Sequence, residues 1–143
     1  MRVIIGSDHA GYQLKTQVKI QLQDLGYAVE DVGCDSEESV DYPVYGKAVA
    51  SRVGSGEFSR GLLLCGSGLG MSMIANRFRG VRASLCNDLY SAILSRRHND
   101  ANVLVMGARL IGPDMAREIV VTWLRTEFEG GRHQSRVQQL DEL

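Results

Sequence analysis

The sequence predicts an α/β domain: a three-layer, Rossmann-like α/β/α arrangement around a five-stranded parallel sheet. Three observations predict it. Short apolar runs alternate with helix-length segments from the first residues to the last third of the chain, the pattern of βαβ units with right-handed crossovers. The stretch from Gly61 to Ser72 turns from an apolar run into a loop with three glycines in five positions, Gly66, Gly68 and Gly70, and then into a helix-like segment. At 143 residues, without internal repeat, linker or low-complexity stretch, the chain reads as one domain over 1–143 that can bury a full core.

The elements follow in order. Arg2 to Gly6 reads as a buried strand, with Ser7 to Gly11 as the loop at its carboxyl end. From Tyr12 the pattern is helical, because Leu14, Val18, Leu22 and Leu25 recur at spacings of four, four and three. Gly26 then suits the left-handed position that ends a helix. Ala28 to Val32 is a second short strand, and Asp35 to Asp41 an acidic loop. Pro43 marks a helix start with Asp41 as its cap; Val44, Ala48 and Val49 give the apolar side up to Val53, and Gly54-Ser55-Gly56 closes it. The third strand, Gly61 to Cys65, leads through the glycine loop into a helix over Met71 to Phe78. Val81 to Cys86 is the fourth strand, and Asp88 caps a helix running to Arg97. Val103 to Met106 is the fifth strand. Pro113 to Glu127 makes an amphipathic helix through Met115, Ile119, Val120 and Leu124, and the polar tail after Gly130-Gly131 forms a short helix at about 132–143.

Composition narrows the function classes. Hydrophobic residues make up 44% and the formal net charge is −1, so neither disorder nor a nucleic-acid-seeking surface is favoured. No apolar run approaches membrane-spanning length, and Asp8 and His9 come too early for a signal peptide. The three cysteines, Cys34, Cys65 and Cys86, are odd in number and lack zinc-type spacing, which fits a reducing compartment and a cytoplasmic protein.

In parallel α/β sheets ligands collect beyond the carboxyl ends of the strands. That rule sets Asp8-His9, Cys65 to Gly70 and the loops after the fourth and fifth strands along one rim. A strand feeding a glycine loop that opens a helix gathers backbone N–H groups and the positive helix end around one point, a cradle for an anion. Cys65 stands at its entrance, where a helix N-terminus lowers a thiol pKa from roughly 8.5. Cys34 and Cys86 have no comparable surroundings and are expected to be structural.

Such a thiolate can attack as a nucleophile or abstract a proton. The small-phosphatase pattern needs an arginine six residues on, where this chain has Met71. The dinucleotide fingerprint also fails at Met71, although Asp88 lies where a ribose-binding acid would, and no Gly-Lys-Ser/Thr is present for a Walker loop. Proton abstraction with loop amides receiving an oxyanion is left. His9, beside Asp8, and His98, opening His98-Asn99-Asp100, are further candidates. Metal ligation is not expected, since no two histidines share ligand spacing and no carboxylate cluster accompanies them. In the tail, Arg132 shares a helix face with Arg136 four residues on, as does His133 three residues before it, and the planar donor fork of arginine suits a phosphate monoester; Arg109 is another such donor.

Gly6-Ser7-Asp8-His9-Ala10-Gly11, Asp41-Tyr42-Pro43, Cys65-Gly66-Ser67-Gly68-Leu69-Gly70, Ser95-Arg96-Arg97-His98-Asn99-Asp100 and Glu129-Gly130-Gly131-Arg132-His133 together resemble ribose-5-phosphate isomerase of the B type, a family that also includes galactose-6-phosphate and allose-6-phosphate isomerases. The likeness runs from about Arg2 to Arg136. It implies an aldose–ketose isomerase without metal or cofactor, built as a homodimer with shared active sites whose dimers can pair into tetramers. By that resemblance Cys65 moves a proton between C1 and C2 through a cis-enediolate, where some relatives use a glutamate elsewhere in the site. Ser67 assists at the reacting oxygens, and Gly66, Gly68, Gly70 and Asn99 bind the enediolate. His98 opens the furanose ring, Asp8 bonds sugar hydroxyls and Tyr42 lines the site. His9, Arg132 and Arg136, with Arg109 and His133, hold the phosphate. His98, Asn99 and Arg109 are expected to act across the dimer interface. Competing expectations are a tetrose or hexose phosphate as substrate, a non-catalytic sugar-phosphate binding subunit, and a flavodoxin-like nucleotide binder.

Overall fold

A computed structural model covers residues 1–143. Its strands are β1 (Arg2–Ser7), β2 (Ala28–Asp31), β3 (Gly61–Cys65), β4 (Ala83–Leu85) and β5 (Val103–Gly107), all parallel in the order β2-β1-β3-β5-β4. The helices are α1 (Tyr12–Asp24), α2 (Tyr42–Gly54), α3 (Leu69–Ala75), α4 (Leu89–Arg97), α5 (Pro113–Arg125) and α6 (Arg132–Asp141). No helix is long and apolar enough to cross a membrane.

The two-residue period of the strands divides the core into two layers. Val3, Ile5, Leu62, Leu64, Leu104 and Met106 face one way and pack with Leu14, Val18 and Leu22 of α1, Ala92 of α4, and Ile119, Val120 and Trp123 of α5. Ile4, Leu63, Cys65, Val103 and Val105 face the other way, against Val49, Ala50 and Val53 of α2 and Met71 and Ala75 of α3. Strands covered on both faces must be apolar at every position, which is why β3 and β5 read as unbroken hydrophobic runs.

Sheet order then fixes where a ligand can sit. From β1 the chain winds outward to β2, then crosses back to β3 on the other side of β1. This reversal splays the connecting loops and opens a crevice above the ends of β1 and β3. Register brings those ends level: Ser7 pairs with Leu64, and Cys65 with Gly107.

Several boundaries and faces differ from the expectation, each for a local reason. The helix after the glycine loop spans Leu69–Ala75 rather than Met71 to Phe78, because Gly68 is its left-handed N-cap and Asn76 its C-cap. The fourth strand shrinks to Ala83–Leu85, since the Arg82 N–H is taken by the Asn102 side chain at 2.7 Å. The amphipathic helix stops at Arg125, where Thr126 is extended. Asp41 makes no capping hydrogen bond, and Val44 and Met115 are exposed rather than inward-facing. Asp88 does cap α4, accepting from the Ser91 N–H at 2.7 Å, and Gly26 is left-handed with φ 91°.

One buried charge went unforeseen. Leu25 is exposed at the end of α1, whereas Lys15, on the same helix, is buried. Lys15 Nζ donates to Asp31 Oδ1 at 2.7 Å and to the Cys34 carbonyl at 2.6 Å. Burial alone would raise the Asp31 pKa, but the bond from Lys15, the Gly33 N–H and the charges of Lys15 and Lys19 outweigh it and hold the carboxyl below its ordinary 3.8. This pair staples α1 to β2 and to the loop that follows.

Candidate active site

Cys65 is the last residue of β3, and the turn after it is built around its sulfur. Gly68 takes φ 83°, a conformation in which a side chain is strained, and its Cβ position is filled by Leu85 and the Met106 backbone. In that conformation the Gly68 N–H donates to Cys65 Sγ at 3.2 Å. Ser67 Oγ accepts from the Leu69 N–H at 3.2 Å. The Gly68 amide, expected to face an incoming anion, is thus turned to Cys65, and the Leu69 amide to Ser67. Gly68 serves to hold the sulfur and does not line the cleft above it.

That cleft has a volume of about 470 Å³ and is walled by Asp8, His9, Ala10, Tyr42, Cys65, Gly66, Ser67, Gly70, Arg109 and Leu110. Its members come from the ends of β1, β3 and β5 and the start of α2, as the strand-end rule requires. Cys65 is only 5% exposed, packed among the α2 and α3 side chains yet opening onto the cleft. Asp8 is also buried; its Oδ1 accepts from the Gly11 N–H at 3.1 Å, which caps the short turn before α1. His9 Nδ1 accepts from the Val40 N–H at 3.1 Å, so a neutral ring carries its proton on Nε2 and presents a donor there. Tyr42 lies against Gly70, where a Cβ would meet the ring at 2.5 Å; only glycine lets the ring close that wall.

Arg109 lines the cleft of its own chain. The Ala108 and Arg109 N–H groups donate to the carbonyls of Cys65 and Gly66 at 2.8 and 2.9 Å, and the arginine side chain lies over Gly66. Sequence reasoning missed the brace beneath this loop: Asn87 Oδ1, beyond β4, accepts from the Gly107 N–H at 2.8 Å. Its signal was a polar residue on the strand-end rim. Leu110, also missed, lines the outer wall.

The remaining candidates do not enter this cleft. His98 ends α4, and the Glu129 N–H donates to the Arg97 carbonyl at 3.1 Å, tying the loop before α6 to that end. Gly130 and Gly131, both at positive φ, reverse the chain so that His133 stacks on His98 with ring centroids 4.3 Å apart and planes 13° apart. Burial, with the charges of His98 and Arg132, holds the His133 pKa below its usual 6.5. Glu129 Oε1 approaches His98 Nε2 at 3.8 Å. The histidine and carboxylate grouping that chain spacing did not reveal is therefore assembled by the fold. Arg132 and Arg136 are exposed on α6. Asn99 lines a separate groove with Arg77, Arg79 and Arg82. Cys34 and Cys86 are buried as expected, and burial pushes the Cys86 thiol up to about 11.

One chain thus gathers a sulfur, a carboxylate, an imidazole donor and a guanidinium at the β1/β3 crevice, and a second polar cluster at the end of α4. A family model described as Ribose/Galactose Isomerase matches residues 3–140. Ribose-5-phosphate isomerase B of Escherichia coli (strain K12) is 46% identical over 139 residues, covering 97% of this chain and 93% of its own. The D-erythrulose-4-phosphate isomerase of Pectobacterium atrosepticum is 40% identical over 141 residues, covering 98% and 93%. The solved structure of Clostridium thermocellum ribose-5-phosphate isomerase B superposes with a TM-score of 0.97 at 51% identity, covering 99% of this chain and 96% of that one. The chain belongs to the ribose/galactose isomerase family.

Proposed function

We propose that the chain is an aldose–ketose isomerase that interconverts D-ribose 5-phosphate and D-ribulose 5-phosphate. The observation that carries this reading is Cys65 Sγ, held by the Gly68 N–H at the floor of a cleft that also contains Asp8, His9 and Arg109. In the forward direction the Cys65 thiolate takes the C2 proton of the open-chain aldose. The electron pair left behind forms the C1–C2 double bond of a cis-enediolate, and the negative charge moves to O1. The thiol then returns its proton to C1, while the O2 proton passes to the O1 oxyanion, leaving the C2 carbonyl and the C1 hydroxyl of the ketose. Ser67 and the Gly66 and Gly70 backbone are the groups beside the reacting oxygens, and a preorganised polar wall costs little reorganisation during reaction. No step asks for a Lewis acid or an electron carrier.

His9 Nε2 and Arg109 supply donors for the phosphate, with Asp8 accepting from sugar hydroxyls. Holding the phosphate orients the substrate through a part of it that does not react. The resemblance also assigns His98, Asn99, Arg132, His133 and Arg136 to the site, and none of them lines the cleft of their own chain. A homodimer in which the α4–α6 end of one copy faces the cleft of the other reconciles the two. Three free cysteines fit work in the cytoplasm.

The experiment is an isomerase assay of the purified chain on ribose, allose, galactose and erythrulose phosphates, with and without chelator. The reading expects the largest kcat/KM on ribose 5-phosphate and no loss with chelator. Preference for the tetrose phosphate would move the chain toward the Pectobacterium relative's reaction. Binding without turnover of any of them would make it a non-catalytic subunit.

A further inference from the structure

We propose that His98, Glu129 and His133 form a binding site for a zinc-class divalent cation, one that the isomerisation does not use and that blocks it when filled. The three residues lie outside the sugar-phosphate cleft of their own chain. One donor atom from each residue lies within 4.8 Å of the others. His98 Nε2 and Glu129 Oε1 are 3.8 Å apart, too far for a hydrogen bond yet within the span of two ligands on one ion, since zinc–nitrogen and zinc–oxygen bonds are about 2.0–2.2 Å each.

The scaffold gathers the three side chains at one place, and His98 must turn out of its stack on His133 for both rings to meet one ion. His98 is fixed at the end of α4, Glu129 is tied there through its N–H to the Arg97 carbonyl, and the Gly130-Gly131 turn returns the chain so that His133 lies face to face with His98. His133 is buried, so one ligand is rigidly placed. The side chains of His98 and Glu129 are 36% and 51% exposed, so they can close the widest gap by rotating about their own bonds. Two imidazoles and one carboxylate are the donor set of an open tetrahedral zinc site, with a fourth position left for water. Imidazole nitrogen disfavours magnesium and calcium, which take oxygen. Arg132 and Arg136 on the same helix oppose a cation and weaken its binding. The blocking effect rests on the functional reading above: a metal on His98 Nε2 removes the lone pair that ring opening requires.

The test titrates zinc into the full-length chain against a chromophoric chelator and, separately, into the isomerase assay. We expect one zinc per chain, retained in Cys65→Ser, and an affinity at least about tenfold weaker in Glu129→Gln. Zinc should inhibit the native chain reversibly, and Glu129→Gln should keep the basal rate while resisting the same zinc concentration. Equal zinc affinity in the native chain and Glu129→Gln, or loss of zinc in Cys65→Ser, would overturn the site. A chain that binds one zinc through Glu129 but isomerises no sugar phosphate supports the site and contradicts the functional reading instead. Zinc bound through Glu129 without inhibition would overturn the blocking role.

Discussion

The Gly68 N–H meets Cys65 Sγ at 3.2 Å, in a turn that Gly68 leaves at φ 83° to open α3. The amide that holds the proposed base and the residue that turns the chain into α3 are thus the same residue. Gly68→Ala is expected to lower kcat sharply and to cost about 1–3 kcal/mol of stability, from strain at positive φ and collision with Leu85 and the Met106 backbone. Steady-state kinetics with thermal unfolding checks this; native stability together with native kcat would show that the turn tolerates a side chain.

A second prediction concerns the buried Lys15–Asp31 pair. Asp31→Asn leaves the Lys15 ammonium buried without its counter-charge and is expected to cost about 3 kcal/mol at neutral pH. The double variant Lys15→Met/Asp31→Asn should recover most of the loss, because it removes the orphaned charge. The sign of the pH dependence follows from the depressed Asp31 pKa. Stability from this carboxylate is fully present above its unfolded value of 3.8 and is lost as pH falls through the lower folded value. Urea unfolding at neutral pH and below about pH 3 should show the gap between native and Asp31→Asn chains narrowing in acid.

The shared-site dimer makes a third prediction. Cys65→Ala and His98→Asn chains should each be inactive as homodimers, the latter more so on the cyclic sugar than on an open-chain analogue. Co-expressed, they should regain roughly a quarter of native activity, because half of the assembled dimers contain one cleft with both residues intact. No recovery in a preparation shown by mass spectrometry to contain mixed dimers would mean that His98 acts on the cleft of its own chain.

How much of this was legible from sequence depended on range. Asp8, Cys65 and Arg109 share one rim because parallel strands end on the same side, and the alternation of apolar runs with helices was enough to say so. Tyr42 was reachable only through the family motif. The burial of Lys15 was hidden because a lysine on a helix reads as solvent-facing until its partner, Asp31 on another element, is known. The His98–Glu129–His133 group was hidden for the same reason: its members meet through a hydrogen bond to Arg97 and a double-glycine turn, neither of which has a spacing signature. Gly68 was recognised as part of an anion cradle, but which amide faces the ligand and which faces the sulfur is a matter of dihedral angle, not of residue type.

The most direct measurement is the fate of the substrate's C2 hydrogen with Cys65→Ala, followed by exchange with deuterated water alongside turnover and substrate affinity. Turnover and exchange are expected to fall together by about 10³-fold or more while ribose 5-phosphate still binds. Exchange at the native rate in Cys65→Ala would contradict this and move the base to another residue of the cleft.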